Sequence, residues 1–361
     1  MTRIGASRFT GVKAKAWHLP RNDLAKPVGR QWRKGDLGMA QLSHAAAGGG
    51  TITGDGAKTF DEALFVSVII AAGMGAGLLV PGFANMVAPL LLPSLFVIVT
   101  ASLLPFRTVL VRSLLGFDRH VVVVVAWLQI ALPILVVAGG TVLQVPRDIM
   151  PFVLLSACSG AVFATPTLAG LFDLDRARAA RIMIMSTLLM PISICLFVGP
   201  RVGLDNIGAF QTFGYRVFVF LVIPALLVLG YRLIELGGLK GASEQADRQA
   251  PRVGVVALSV FAVAIMAGVA EQFASHPSHT LALFLGALCV NFGMLIITRL
   301  ALGSLGADTA HTASIVAMTR NVGLAYAMTA AFFGPDLATY VALCQVPLLV
   351  GPLIVRLRFR S

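Results

Sequence analysis

The chain has 361 residues, 57% of them hydrophobic and only 12% charged, with a mean hydropathy of +0.87. Soluble domains carry about a quarter charged residues, so this composition excludes a soluble globular protein and implies a polytopic membrane protein. The formal net charge of +12 would suggest a nucleic-acid partner in a soluble chain; in a membrane protein basic residues report orientation first, and no nucleic acid is expected.

Residues 1–58 differ from the rest, with ten Lys or Arg against three Asp and no apolar run long enough for a signal peptide. They read as a disordered basic cytoplasmic tail. Basic patches at Arg3, Arg8, Lys13 and Lys15, and again at Arg30, Arg33 and Lys34, stand beside Trp17 and Trp32 and suit contact with anionic lipid head groups. An organelle transit peptide, or initiation at Met39, fits the same stretch equally well.

From Phe60 onward the chain divides into ten apolar pieces of the length a bilayer core requires, about 20 residues each. They fall near 62–80, 86–105, 120–142, 149–171, 180–199, 213–234, 253–274, 279–299, 309–333 and 337–356. Turn and charge signals separate them, among them Pro81-Gly82, Pro146-Arg147-Asp148, Gly199-Pro200-Arg201 and the long stretch from Gly237 to Arg252. With a cytoplasmic N-terminus, and leaving the tail aside, the inner loops and C-terminus hold 14 Lys or Arg against 2 in the outer loops. This predicts a multi-pass protein of a cell membrane, of the bacterial inner-membrane kind, with both termini cytoplasmic.

Ten spans divide into five (residues 59–200) and five (201–361). Because five is odd, the second set enters the membrane inverted, the geometry of an inverted-repeat transporter whose site lies where equivalent helices are interrupted at the midplane. The fourth piece carries Thr165-Pro166-Thr167, a proline flanked by hydroxyls, and the ninth carries Thr319-Arg320-Asn321. Arg320 is the least expected group in the chain. An arginine at a helix centre costs roughly 2.5–3.5 kcal/mol on insertion scales, so it faces protein, water or an anion rather than lipid. Gln129 and Asn291, in the third and eighth pieces, either line the same cavity or serve as interhelical hydrogen-bonding amides. Gly73, Gly75 and Gly77 in the first piece suit close helix packing.

Two motifs carry a resemblance. Met185 to Pro191, MSTLLMP, is similar to the fifth-helix STLL-x-P motif of the bile acid:sodium symporter family, and Arg320 to Ala325, RNVGLA, resembles that family's ninth-helix QNSGLA. The resemblance implies an all-α protein of ten transmembrane helices in two inverted five-helix repeats, with discontinuous fourth and ninth helices that cross at the site. It further implies a core of spans 3–5 and 8–10, a panel of spans 1, 2, 6 and 7, and an organic anion moved with sodium. The departures matter. Where the family has a Glu four residues before the Gln of its motif this chain has Val316, the Gln itself is Arg320, and the fifth-helix hydroxyl ligands fall at Ala179 and Met183. A hard cation wants several oxygens, so sodium coupling of the family's kind is not expected.

Arg320 then reads as a tethered cation standing where the mobile one stood, with Asn321, Thr319, Thr165, Pro166, Thr167, Gln129 and Asn291 as the other candidate substrate-binding residues. A guanidinium offers a rigid donor fork suited to carboxylate, sulfonate or phosphate. Alternatively Arg320 braces the crossing, bonded to freed carbonyls, in a membrane sensor or scaffold that does not transport. Cys158 resembles the fourth-helix Cys of arsenite permeases, whose ninth-helix Glu is absent here. No motif of hydrolase, nucleotide-binding or metalloprotease chemistry occurs, and neither a metal nor another cofactor is called for. The expected partners are the bilayer and a small organic anion, with the chain either a monomer or a homodimer.

Overall fold

In the computed structural model the described residues are 56–359, apart from 108, 111–117, 173, 205 and 238–239. The predicted tail therefore lies outside them, except that helix already begins at Gly56. The described chain is helical throughout. Beyond one isolated β-bridge it contains no extended pairing among the described residues.

The helices are α1 (Gly56–Leu79), α2 (Pro81–Phe106), α3 (Arg119–Val142), α4a (Met150–Cys158) and α4b (Thr165–Leu171), and α5 (Arg176–Val202). They continue as α6 (Ile207–Glu235), α7a (Lys240–Ala264) and α7b (Val269–Ser275), α8 (Pro277–Ala301), α9a (Ala307–Met318) and α9b (Val322–Thr329), and α10 (Asp336–Phe359). Among the described residues six continuous segments are long and apolar enough to cross a membrane, namely α2, α3, α5, α6, residues 249–275 and α8. The chain is an all-α membrane protein.

Several boundaries differ from those the sequence predicts, three of them in the middle of the chain. The sixth helix begins at Ile207 rather than near 213, because the Asn206 side chain caps it by accepting from the Ala209 N–H at 2.8 Å. The stretch from Gly237 to Arg252, expected as a loop, is helical from Lys240, with Pro251 inside the helix. And α5 runs two residues past the predicted boundary at 200.

Three helices contain a π-helical turn: Trp127–Ala131 in α3, Ile194–Val198 in α5 and Phe218–Val222 in α6. Each lies just ahead of a proline, Pro133, Pro200 or Pro224. A proline ring collides with the carbonyl four residues back and supplies no N–H, and one extra residue in the turn relieves the collision. The carbonyls so freed need other donors.

Two groups of helices pack mainly among themselves. α1, α2, α6 and α7 form one, and α3, α4, α5, α8, α9 and α10 the other. In the first, Gly77 of α1 lets α7a approach so closely that a Cβ there would stand 2.8 Å from Val263 O; Gly73 makes a similar approach to Ala262, whereas Gly75 faces open space. The groups meet largely through the two half-helices. α4b packs against α1, and α9b against α2 and α6.

Candidate functional site

The site is built where α4 and α9 are both interrupted. α4a stops at Cys158, and the chain runs extended through Ser159 to Ala161 before α4b starts at Thr165. α9a stops at Met318, and α9b starts at Val322. The two gaps pair antiparallel at Ala161 and Arg320. The Val162 N–H donates to Thr319 O at 2.9 Å, and the Asn321 N–H donates to Gly160 O at 2.8 Å. Backbone groups that leave a helix inside a membrane must be satisfied by protein, and here each gap satisfies the other.

The proline expected to break the fourth helix instead opens α4b. Thr165 and Pro166 are the first two residues of that half-helix, where a missing N–H and a fixed φ do no harm. The break itself sits at Ser159-Gly160, where the chain touches α5. A Cβ on Gly160 would lie 2.8 Å from both the Cα and the Oγ1 of Thr187. The neighbouring Ser186 accepts from the Ala161 N–H at 3.2 Å. The Ser-Thr pair of the MSTLLMP segment is thus the surface on which the break rests.

Arg320 is 2% exposed. Its Nη1 donates to Ser159 O at 2.8 Å, and its Nη2 donates to Leu128 O at 2.8 Å and to Ala157 O at 3.1 Å. Ala157 and Ser159 belong to the end of α4a, whose last carbonyls have no intrahelical partner. Leu128 lies in the π-turn of α3, and the residue five ahead of it is Pro133, which has no N–H to offer. The guanidinium therefore joins three elements by filling the acceptors that their interruptions leave open. No carboxylate pairs with it among the described residues; two of its three partners are carbonyl dipoles at the negative end of α4a. Only Nε, also buried, has no partner.

Gln129 joins the same junction. It is buried, its Nε2 donates to Ser159 O at 3.2 Å, and its own carbonyl, facing Pro133, accepts from the Ser193 hydroxyl of α5 at 2.8 Å. Thr319 is buried and returns its hydroxyl to Ile315 O at 2.8 Å. Asn321, half-buried, caps α9b by accepting from the Leu324 N–H at 3.1 Å. Thr165 turns its hydroxyl to Val162 O at 2.6 Å. Pro166 is buried in the first turn of α4b, and Thr167 is half-buried beside it. Asn291 is not brought to this junction by any hydrogen bond; its Nδ2 donates to Ala287 O of its own helix at 2.7 Å. Val316, Met183 and Cys158 are fully buried members of the apolar core, and Ala179 is fully buried as well.

Two features were not singled out from the sequence. Arg216 stands nine residues inside α6, not at its start, and its Nη1 donates to Ala327 O of α9b at 3.0 Å. At one end of the bundle His279 bonds Asp336 at 3.0 Å, its other ring nitrogen faces Asp148 at 3.7 Å, and Gln272 joins Asp336 to Thr339. The first miss followed from the late placement of the helix start, which Asn206 could have corrected; the second joins residues too far apart in sequence to show any pattern.

Two interrupted helices that pair through their gaps define the class as far as geometry goes: a membrane protein with a polar junction enclosed within its helices. No family model matches the chain, and a search of curated proteins finds no match.

Proposed function

We propose that this chain is a secondary transporter of small organic anions, working by alternating access on a ten-span scaffold of two inverted five-helix repeats with both termini cytoplasmic. The observation that carries the reading is the paired interruption of α4 and α9 with the Arg320 guanidinium set on three freed carbonyls. Interrupted helices at the junction of two helix groups are what a rocking transporter needs, because irregular backbone survives at membrane depth only where protein or a cavity satisfies it.

Two further observations support it. The half-helices α4b and α9b carry the main contacts between the two groups, so a movement of one group against the other is felt at the gaps. The positions where the similar family keeps sodium ligands are Val316, Ala179 and Met183, all fully buried among apolar side chains. In this reading Arg320 is a permanent cation that neutralises the carbonyls a mobile ion would otherwise neutralise, so transport runs without sodium. A guanidinium fixed by three hydrogen bonds is not free to leave, and the coupling lost with the ion is not replaced by it.

The test is uptake and counterflow of organic anions by the full chain in proteoliposomes, with sodium and with choline in its place. Saturable anion counterflow that changes by less than about twofold between the two salts, well under 1 kcal/mol in binding terms, is the expected result. A steep, saturable sodium dependence overturns the fixed-cation account. Absence of counterflow for every anion, with folded protein in the membrane, favours a non-transporting sensor on the same scaffold.

A further inference from the structure

Arg216 is a second arginine at membrane depth, and its circumstances are unlike those of Arg320. It lies nine residues into α6, about 14 Å along the helix at 1.5 Å per residue. Its partner Ala327 lies five residues into α9b, about 8 Å from the gap by the same rise. With a hydrocarbon half-thickness of about 15 Å, a guanidinium at that level is not at an aqueous interface. A charged group there marks a functional position unless the protein fully compensates it.

The protein does not fully compensate it. Arg216 is half-buried, and among the described residues it pairs with no carboxylate. One Nη donates to the Ala327 carbonyl near the end of α9b, which leaves the other donors of the fork unused by the described residues. Tyr326, next to Ala327 in the chain, is the only residue of α9b that is not buried. Its hydroxyl makes no hydrogen bond to the described residues. Asn321, just before α9b, is half-buried too, and its amide nitrogen is not used in capping. One turn earlier on the same side of α9b the packing is close, since a Cβ on Gly323 would meet Phe261 at 3.3 Å and Leu95 at 3.4 Å.

We propose that Arg216, where α6 meets the Ala327 carbonyl of α9b, is the anion-recognition site, taking the carboxylate or sulfonate of the substrate on its unused donors. The assignment rests on the transporter reading and moves the substrate charge from Arg320, whose two terminal nitrogens are engaged, to the arginine with donors to spare. It also supplies a reason for transport to respond to substrate. Arg216 belongs to the α1, α2, α6 and α7 group and its partner Ala327 to the other, so an anion held at this seam binds with an affinity that changes as the groups move, which is the condition for a ligand to shift a conformational equilibrium. Bidentate acceptance from a guanidinium sets the chemical class of the ligand.

The experiment measures binding of octanoate, naphthalene-2-sulfonate and cholate, each beside its neutral amide, to the purified full chain and to Arg216→Gln and Arg216→Lys, with melting temperatures recorded alongside. Gln keeps an N–H for the Ala327 carbonyl and removes the charge. The expected result is an anion that wild type binds in preference to its amide, a Kd raised tenfold or more in Arg216→Gln, an intermediate value in Arg216→Lys, and melting temperatures within a few degrees of wild type. Equal anion affinity in wild type and Arg216→Gln overturns the assignment and leaves the transporter reading standing. A lowered melting temperature with anion and amide affected alike makes Arg216 a helix cap only and overturns it too. If wild type binds none of the six compounds, the transporter reading falls and the assignment with it.

Discussion

The two arginines inside the apolar helices show how the fold engages the same side chain to two different degrees. Arg320 is 2% exposed and gives three hydrogen bonds to carbonyls of α3 and α4a, whereas Arg216 is half-buried and gives one to α9b. Acceptors that the backbone has left open fix the first. The second has donors that the described residues do not use. An intramembrane charge alone therefore does not identify a ligand-binding group; what decides is how many of its donors the fold has already consumed.

The largest effect expected from breaking this contrast is at Arg320. Arg320→Ala leaves the Ala157, Leu128 and Ser159 carbonyls without their cation, and an unsatisfied buried polar group costs about 1–3 kcal/mol. The outcome is loss of most folded, monodisperse protein on purification, or a melting temperature lower by ten degrees or more, unchanged by added sodium. Recovery of protein with wild-type melting behaviour would show that these bonds hold nothing together.

A smaller effect is expected one residue from the bridge. Gly160→Ala places a methyl group 2.8 Å from the Cα of Thr187, and forcing a group into a filled interior costs typically about 1–3 kcal/mol. Its melting temperature falls, and adding Thr187→Ala does not restore it, because the Thr187 backbone is itself in the way. Full rescue by Thr187→Ala would mean that the hydroxyl alone sets the distance between the break and α5.

How much of this was legible in the sequence varied with the kind of interaction. Arg320 stood out because a guanidinium in an apolar run is costly wherever the run folds, and its place in the ninth helix followed from spacing alone. Its partners did not. That Leu128 has a free carbonyl depends on Pro133 forcing a π-turn, and which donor reaches that carbonyl is settled only by how α3 and α9 pack. Thr165-Pro166-Thr167 marked the right helix and the wrong residues, since proline is as welcome in the first turn of a helix as it is harmful inside one. The helical start of α7a was hidden because Gly237 to Arg252 is charged and holds Pro251, features that signal a loop when read without tertiary context. Arg216 did not stand out for a simpler reason, a helix start placed six residues late, which set it near the end of its helix.

The central claim is that Arg320 holds the crossing and does not hold the substrate. The most direct measurement is the anion affinity of purified Arg320→Lys with its melting temperature taken on the same sample. An ammonium keeps the charge yet cannot span the three carbonyls with the planar fork of a guanidinium. The account predicts a melting temperature several degrees below wild type, with the Kd of the bound anion within about threefold, less than 1 kcal/mol. A protein that melts like wild type and binds the anion at least tenfold more weakly would contradict it.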